Sequence, residues 1–405
     1  MPTPDRSNRD PDALTERIDQ IYTFYSPDRS VRSFSAERDE LTGELTCPER
    51  LHLVASARFV VTTAIAAEFG LEGDWRTTAT AALDRLWERH YDRTAGGFDQ
   101  LVIRADEDEA PTRDRMRSTY GHAFCVLAAA HAVQAGATHA SGRLETTLNI
   151  LEDRFYESNH GLYRSDLDEQ WEPIEAYRGQ NANMHACEAH LAVYDATGSP
   201  PQLRRAIEIA EQLCVELPAE TGGLLWEHYT PAWEHDFAYN RSEPADQFRP
   251  WGYQPGHHAE WARLLATIDA RSATEPAVTR PSWAIPHAEE LFAWATTIGW
   301  NDNHGGFYYT IDRDGEPIVT DTYGWTVAEA IGAAALLFER TAHERYRDWY
   351  DRLWAYADAH LVAPHGNWYE RVNAVNEPTK PTDGPAVEPG YHPIGACLAG
   401  MRVFG

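Results

Sequence analysis

Lysine is almost absent from this sequence, and positive charge as a whole is scarce. Lys380 is the only lysine, and 35 basic residues stand against 63 acidic ones, which gives a formal net charge of −28. Such a chain repels phosphates, so nucleic acid is excluded as a partner. The acidic residues are spread along the whole chain rather than gathered in a tail, which argues against disorder. They predict a salt-adapted, halophilic surface whose self-repulsion concentrated salt would screen.

Cysteine is also rare, and no cysteine pair has the spacing of a zinc or redox motif. The sequence therefore predicts free, mostly buried thiols and excludes a disulfide framework. No apolar run reaches the length of a membrane span, and the opening "MPTPDRSNRDPDAL" is too polar for a signal peptide. We expect a cytoplasmic protein without a membrane partner. The five cysteines are Cys47, Cys125, Cys187, Cys214 and Cys397.

Apolar residues recur at helical spacing throughout the chain, which is 43% hydrophobic. Short segments of glycine and aromatic residues separate alternate helices, and each predicts a small β-hairpin. These segments begin at Gly96, His160, Gly222, Gly305 and Gly366. The predicted helices are 10–27, 48–70, 73–92, 118–136, 140–157, 182–198, 201–217, 256–271, 283–298, 323–340, 343–362 and 390–402.

The repeated unit is therefore two helices and a hairpin, with a period of about 60 residues that is stretched once. Six such helix pairs can close into a ring and bury their inner helices completely, whereas an open solenoid would need polar capping repeats. The expected fold is all-α, an (α/α)6 barrel with short β-hairpins at one mouth. No linker-like tract divides the chain, so we expect residues 1–405 to form one domain.

Two clusters of polar residues stand near the starts of predicted inner helices. Asn181, His185 and Glu188 share one helix face in "YRGQNANMHACEAH", and His257 and Glu260 share another in "RPWGYQPGHHAEW". Ordinary helix entry is the alternative in both cases. In the first cluster Asn181 or Asn183 would be the N-cap and His185 a core residue, and in the second Pro255 and Gly256 would simply begin the helix.

Three further signals are polar side chains in apolar helices. Trp325 and Glu329 lie four residues apart, and a buried carboxylate such as Glu329 requires a partner. His392 follows Tyr391 at the start of the last apolar helix. Arg58 stands alone in "VASARFVVTTAIA", and Tyr120 and His122 open another apolar helix. In a closed ring, these helix ends converge on one polar pocket.

The residue types in this pocket suit proton transfer to and from carbon. Two histidines can serve as acid and base near neutral pH, which would be His257 and His392, and Arg58 could stabilise a developing oxyanion. Tryptophan and tyrosine faces suit a sugar ring. Because the sequence contains no GxGxxG motif, no P-loop and no clean set of metal ligands, we expect neither a cofactor nor a metal.

The chain resembles the N-acylglucosamine 2-epimerase family, (α/α)6-barrel enzymes that epimerise or isomerise sugars. The resemblance runs over most of the chain and rests on "RGQNANMHACEAHLAVYDATG", "YNRSEPADQFRPWGYQPGHHAEWARLL", "WTVAEAIGAAALL" and the terminal "YH". The first two motifs are most similar to the aldose–ketose isomerase branch. The resemblance implies interconversion of D-mannose and D-fructose through a cis-enediolate, with D-lyxose and D-xylulose as a further pair.

The resemblance also implies a role for each pocket residue. His392 would move the proton between C2 and C1, and His257 would assist ring opening. The residues that would bind the sugar are Arg58, Tyr120, Asn181, His185, Arg249, Glu260, Trp325 and Glu329. His122, which is near Tyr120 in the same helix, is a further predicted binding residue on its position alone. Sulfosugar isomerases of this branch carry a glutamine shortly before the final "YH", where this chain has Glu388, and a carboxylate there favours a neutral monosaccharide over a sulfonated one.

Four alternatives to this function remain open at the level of the sequence. A 2-epimerase acting on N-acylglucosamine or cellobiose would share the histidine pair and would form no ketose. A glycoside hydrolase would need two opposed carboxylates, for which Glu260 and Glu329 are candidates. A protein that binds sugar without turnover and a metal-dependent variant with His–Glu ligands are the other two. The protein could act as a monomer or as a homo-oligomer.

Overall fold

Most of the described chain is helical, and the computed structural model describes residues 6–105, 110–379 and 384–405. Over these ranges it contains twelve α-helices, each within a few residues of its predicted position. They are α1 (Pro11–Tyr25), α2 (Leu53–Glu68), α3 (Trp75–His90), α4 (Thr119–Gln134), α5 (Ala140–Phe155), α6 (Gln180–Thr197), α7 (Pro200–Glu211), α8 (Pro255–Ser272), α9 (Ala284–Thr297), α10 (Gly324–Thr341), α11 (Glu344–His360) and α12 (Tyr391–Phe404).

The even-numbered helices form a closed inner series. Each of α2, α4, α6, α8, α10 and α12 contacts the next, and α12 returns to α2. The odd-numbered helices pack on the outside, for example α3 on α2 and α5 on α4. The sequence explains the two layers, because α4 is apolar and buried nearly all round, whereas α3 buries only one face. No helix of the described ranges is both long and apolar enough to cross a membrane.

Thirteen short strands lie between the helices of the described ranges, and none of their sheets closes on itself. The strand that enters an inner helix pairs with a strand from the segment after the next outer helix, as in β4 with β7, β8 with β9 and β12 with β13. The strands are β1 (Arg50–His52), β2 (Leu101–Ile103), β3 (Thr112–Asp114), β4 (Arg117–Ser118), β5 (Tyr156–Glu157), β6 (Leu162–Tyr163), β7 (Asp166–Leu167), β8 (Arg178–Gly179), β9 (His228–Tyr229), β10 (Thr310–Ile311), β11 (Pro317–Val319), β12 (Thr322–Tyr323) and β13 (Arg371–Val372).

The five glycine–aromatic segments do turn back on themselves, as the sequence predicts. Two form hairpin ladders, β2 with β3 and β10 with β11. The other three are closed by single bridges, Leu167 to Pro173, Tyr229 to His235 and Val372 to Pro378. The sequence did not predict the pairing with the entry strands described above. That pairing holds the segments against the N-terminal ends of the inner helices.

Candidate active site

A pocket of about 1200 Å³, including its open mouth, lies where the N-terminal turns of the inner helices converge. Every inner helix contributes to its lining. Of the eleven side chains predicted to catalyse the reaction or to bind the sugar, eight line it: Arg58, Tyr120, Asn181, His185, His257, Glu260, Trp325 and His392. The remaining lining is largely aromatic and acidic, and includes Tyr309, Tyr323, Trp368, Tyr369, Glu40, Glu370 and Glu388.

His392 lies in the first turn of α12 and has both ring nitrogens engaged. Its Nδ1 is 2.8 Å from Oε1 of Glu329. A carboxylate oxygen only accepts hydrogen bonds, so the ring proton is on Nδ1 and the lone pair is on Nε2. This Nε2 lies 3.1 Å from Nη2 of Arg58, inside the pocket. The chain enters α12 through Gly390, whose φ of 81° suits glycine, and a Cβ there would collide with Ile21.

Arg58 is buried on α2 and reaches across the pocket to the C-terminal segment. Its Nη1 donates to the carbonyl oxygen of Val387 at 3.0 Å and contacts Oε2 of Glu388 at 3.3 Å. Its Nη2 also lies 3.3 Å from the Tyr120 hydroxyl. The guanidinium lies over the ring of Phe124, with 4.6 Å to the centroid. These contacts hold a permanent positive charge beside Nε2 of His392.

His257 is held in the same manner on α8. Its Nδ1 lies 2.9 Å from Oε1 of Glu227 and 2.9 Å from the amide nitrogen of Gln180. The charged carboxylate is the stronger partner, so the ring proton is placed on Nδ1 and Nε2 is the acceptor nitrogen. Burial alone would raise the pKa of Glu227, but the contacts with His257 and Gln180 lower it. The Pro-Gly entry to α8 has a steric reason, because a Cβ on Gly256 would come within 2.7 Å of the Trp325 ring. The Trp325 ring centroid is 5.1 Å from that of His257.

Three buried carboxylates surround Arg263, one turn below the pocket floor. Its guanidinium is 2.8 Å from Glu188, 3.5 Å from Glu260 and 2.5 Å from Glu329. Burial would raise the pKa of Glu188 and Glu329, yet the charge of Arg263 holds both below the ordinary value. The pKa of Glu260 is instead raised well above it by burial and by Glu329. Burial and the neighbouring carboxylate therefore favour the neutral form of Glu260.

Glu260 can hydrogen-bond to a ligand, because its Oε1 has no hydrogen-bond partner among the described residues. His185 lies next to it and is neutral, since burial lowers the pKa of this histidine to about 4. The Nδ1 of His185 is 3.1 Å from Glu188. His185, Glu188 and Glu260 are close enough to share a metal ion, but Arg263 already places a positive charge beside Glu188 and Glu260.

Three predicted binding residues do not line the pocket. His122 is enclosed between Phe155 and Trp171, and both of its nitrogens bond to the backbone, at Ser118 and Phe98. The guanidinium of Arg249 pairs with Asp166 and Glu175 and lies over the ring of Tyr177, although its neighbours Phe248 and Pro250 do line the pocket. Glu329 lies one turn deeper than Trp325, behind His392.

Glu227, Gln180 and Arg263 are functional candidates that the sequence analysis missed. Gln180 donates to Oε2 of Glu227 at 2.9 Å and accepts from Nε1 of Trp261 at 2.8 Å, which orients the acceptor for His257. Arg263 carried a usable signal, because it is a lone charge in the apolar run "WARLLATI", as Arg58 is in "VASARFVVTTAIA". Glu227 stands in a glycine–aromatic segment, where nothing in the sequence distinguishes it from turn residues.

Comparison with known proteins gives concordant results along nearly the whole chain. The sequence model of the N-acylglucosamine 2-epimerase family matches residues 37–396. A D-mannose isomerase of Marinomonas mediterranea is 35% identical over 396 residues, which is 96% of this chain and 97% of that protein.

Solved structures agree with the sequence matches. A crystal structure of a D-mannose isomerase superposes with a TM-score of 0.88 at 33% identity, covering 97% of this chain and 98% of that one. A cellobiose 2-epimerase from Spirochaeta thermophila shares the fold, with a TM-score of 0.75 at 22% identity and coverage of 97% and 98%. The chain belongs to the N-acylglucosamine 2-epimerase family.

Proposed function

We propose that this member of the family is an aldose–ketose isomerase that interconverts D-mannose and D-fructose without a cofactor. The observation that carries the proposal is the pair of buried imidazoles, His392 and His257. Each has Nδ1 held by a carboxylate, and each lines the same aromatic pocket beside Arg58. Relatives named D-mannose isomerase at 35% identity by sequence and 33% by structure support the choice of sugar.

His392 is the base of the proposed reaction. Its Nε2 removes the proton from C2 of the open-chain aldose, and Glu329 stabilises the imidazolium that forms. Electron density moves from C2 to the carbonyl oxygen and produces an enediolate, whose negative charge the adjacent Arg58 offsets. The hydroxyl proton of O2 passes to O1 across the cis-enediolate, C2 becomes the carbonyl carbon, and return of the proton from Nε2 to C1 completes the ketose. The sugar thus gains and loses one proton, and no electrons leave it.

His257 and Glu260 prepare the sugar for that step. His257, backed by Glu227, exchanges a proton with the ring oxygen or the anomeric hydroxyl to open the ring. Glu260, as a neutral carboxyl, donates a hydrogen bond to a sugar hydroxyl. Trp325 supplies an apolar face beside both histidine rings, with centroid distances of 5.1 and 5.9 Å.

We also propose that the chain forms an (α/α)6 barrel with one catalytic domain. The closed series of inner helices, with an outer helix packed on each, supports the assignment as an (α/α)6 barrel with its hairpins at the pocket mouth. The family match over residues 37–396 supports one catalytic domain.

Proton NMR of D-mannose incubated with the protein in D2O, at high salt and after treatment with a chelator, tests the function. We expect D-fructose to appear, because the site requires no metal in this mechanism. Glucose with deuterium at C2 and no ketose would make the protein a 2-epimerase, an enzyme class that shares its fold. Sugar binding without any turnover would contradict both.

A further inference from the structure

The carboxylate of Glu388 lies against the nitrogen of His392 that faces the substrate. Its Oε2 is 3.3 Å from Nε2 of His392 and 3.3 Å from Nη1 of Arg58. Its Oε1 accepts the backbone N–H of His392 at 3.2 Å, at the N-terminal end of α12, where a negative charge is favourable. The backbone N–H of His392, the N-terminal end of α12 and Arg58 therefore hold the carboxylate of Glu388 next to Nε2 of His392, the atom that acts as the base in the proposed reaction.

The two carboxylates that touch His392 have different environments. Glu329 holds Nδ1 and is buried, with its side chain 6% exposed. Glu388 contacts Nε2, and its side chain is 25% exposed, against 5% for that of His392. A proton taken from carbon arrives on Nε2, because Nδ1 already carries one. Of the two carboxylates beside His392, Glu388 is then the one that lies near that nitrogen, at 3.3 Å, and also reaches water.

We propose that Glu388 is the proton relay between His392 and solvent, and that it decides whether the proton removed from C2 is returned to C1 or exchanged. The proposal rests on the isomerase function proposed above. In the exchange path, the Nε2–H bond breaks as the proton moves to Oε2 of Glu388, which regenerates neutral imidazole. The Glu388 carboxyl then loses that proton to water, takes one from water and returns it to Nε2, which delivers it to C1.

Direct return of the same proton from Nε2 to C1 competes with this relay during each turnover. The fraction of product that carries a solvent hydrogen therefore measures the ratio of the two rates. A side chain that only shaped the pocket would change the rate of isomerisation but would leave this ratio unaltered.

The test is isomerisation of protiated D-mannose in D2O, with deuterium at C1 of fructose measured by NMR early in the reaction. Glutamine cannot take up a proton at this position, so Glu388→Gln should lower the ratio of exchanged to directly transferred product by about tenfold. Glu40→Gln is the matched control, because Glu40 also lines the pocket but accepts from the backbone of Glu370. In this variant, the deuterium fraction should equal that of the unaltered protein.

An unchanged deuterium fraction in Glu388→Gln would overturn the relay. Glu388→Asp is the second variant should the first fail to fold, because it keeps the charge and withdraws it from Nε2. Its deuterium fraction should also fall, and a fraction equal to that of the unaltered protein would likewise overturn the relay. If the unaltered protein makes no fructose, the isomerase function fails first, which is a distinguishable outcome.

Discussion

His257 and His258 are neighbours in the sequence and are both buried, yet they have opposite surroundings. His257 gives its Nδ1 proton to the carboxylate of Glu227 and lines the pocket. His258 gives its Nδ1 proton to the backbone oxygen of Gln254 at 2.8 Å, and its Nε2 accepts the N–H of Leu225 at 3.2 Å. A carboxylate stabilises a positive imidazolium, whereas an N–H that points at Nε2 excludes a second proton there. Of the two, only His257 therefore has a carboxylate on its Nδ1 and, among the described residues, a free Nε2 facing the pocket.

The role of His258 is repeated around the ring at the fourth residue of an inner helix. His122 on α4 bonds to the oxygen of Ser118 at 2.7 Å and to the N–H of Phe98 at 3.2 Å. Asn183 on α6 makes the equivalent bonds, to the oxygen of Gly179 and the N–H of Tyr163. In each case, one side chain ties the preceding glycine–aromatic segment to the start of a helix. This structural task explains why His122 lies outside the pocket.

The largest loss of activity should follow when a histidine that lines the pocket is replaced. We expect His392→Ala and His257→Ala to lower kcat by about 10²- to 10⁴-fold with the fold intact, because each removes an acid–base group. His258→Asn is the control, since Asn183 shows that asparagine can make both bonds, and its kcat should stay close to that of the unaltered protein. Steady-state kinetics on D-mannose with near-UV circular dichroism would measure both. Near-normal turnover in either alanine variant would contradict the assigned roles.

A smaller effect should follow when the histidine stays and its carboxylate is changed. Glu227→Gln preserves shape but removes the charge that stabilises protonated His257, so we expect kcat to fall on the order of 100-fold. Glu152→Gln is the matched control, because Glu152 contacts His190, a buried histidine that does not line the pocket. Equal losses in the two variants would show that Glu227 serves stability rather than the reaction of His257.

The sequence predicts the helices and most of the pocket for one physical reason. Helical periodicity and isolated polar residues in apolar runs are local signals, and they located Arg58, His257 and His392. The errors concern contacts between segments distant in the chain. Glu227 reaches His257 from another repeat, and His122 is explained only by its bond to Phe98, 24 residues earlier. A polar residue in an apolar helix shows that a partner exists, but the partner decides whether the residue binds substrate or backbone.

The smallest expected effect concerns the pH dependence of stability. Burial lowers the pKa of His122 and of His258 to about 4, below the ordinary value of 6.5. The unfolded chain therefore binds a proton that the folded chain excludes, and stability present above pH 6.5 is lost as the pH falls toward 4. Each such histidine contributes a slope of up to about 1.4 kcal/mol per pH unit in that window.

His122→Asn should remove one such contribution to the pH dependence of stability. An asparagine at position 122 can still bond to the backbone on both sides, as Asn183 does on α6. We expect a flatter dependence of the unfolding free energy on pH between 6.5 and 4, measured by urea denaturation at several pH values. His304→Asn is the control, because His304 is exposed and its removal should leave the slope unchanged. Parallel curves for His122→Asn and the unaltered protein would mean that His122 is protonated inside the fold. The division between backbone-bonded and carboxylate-bonded histidines would then fail at its clearest example.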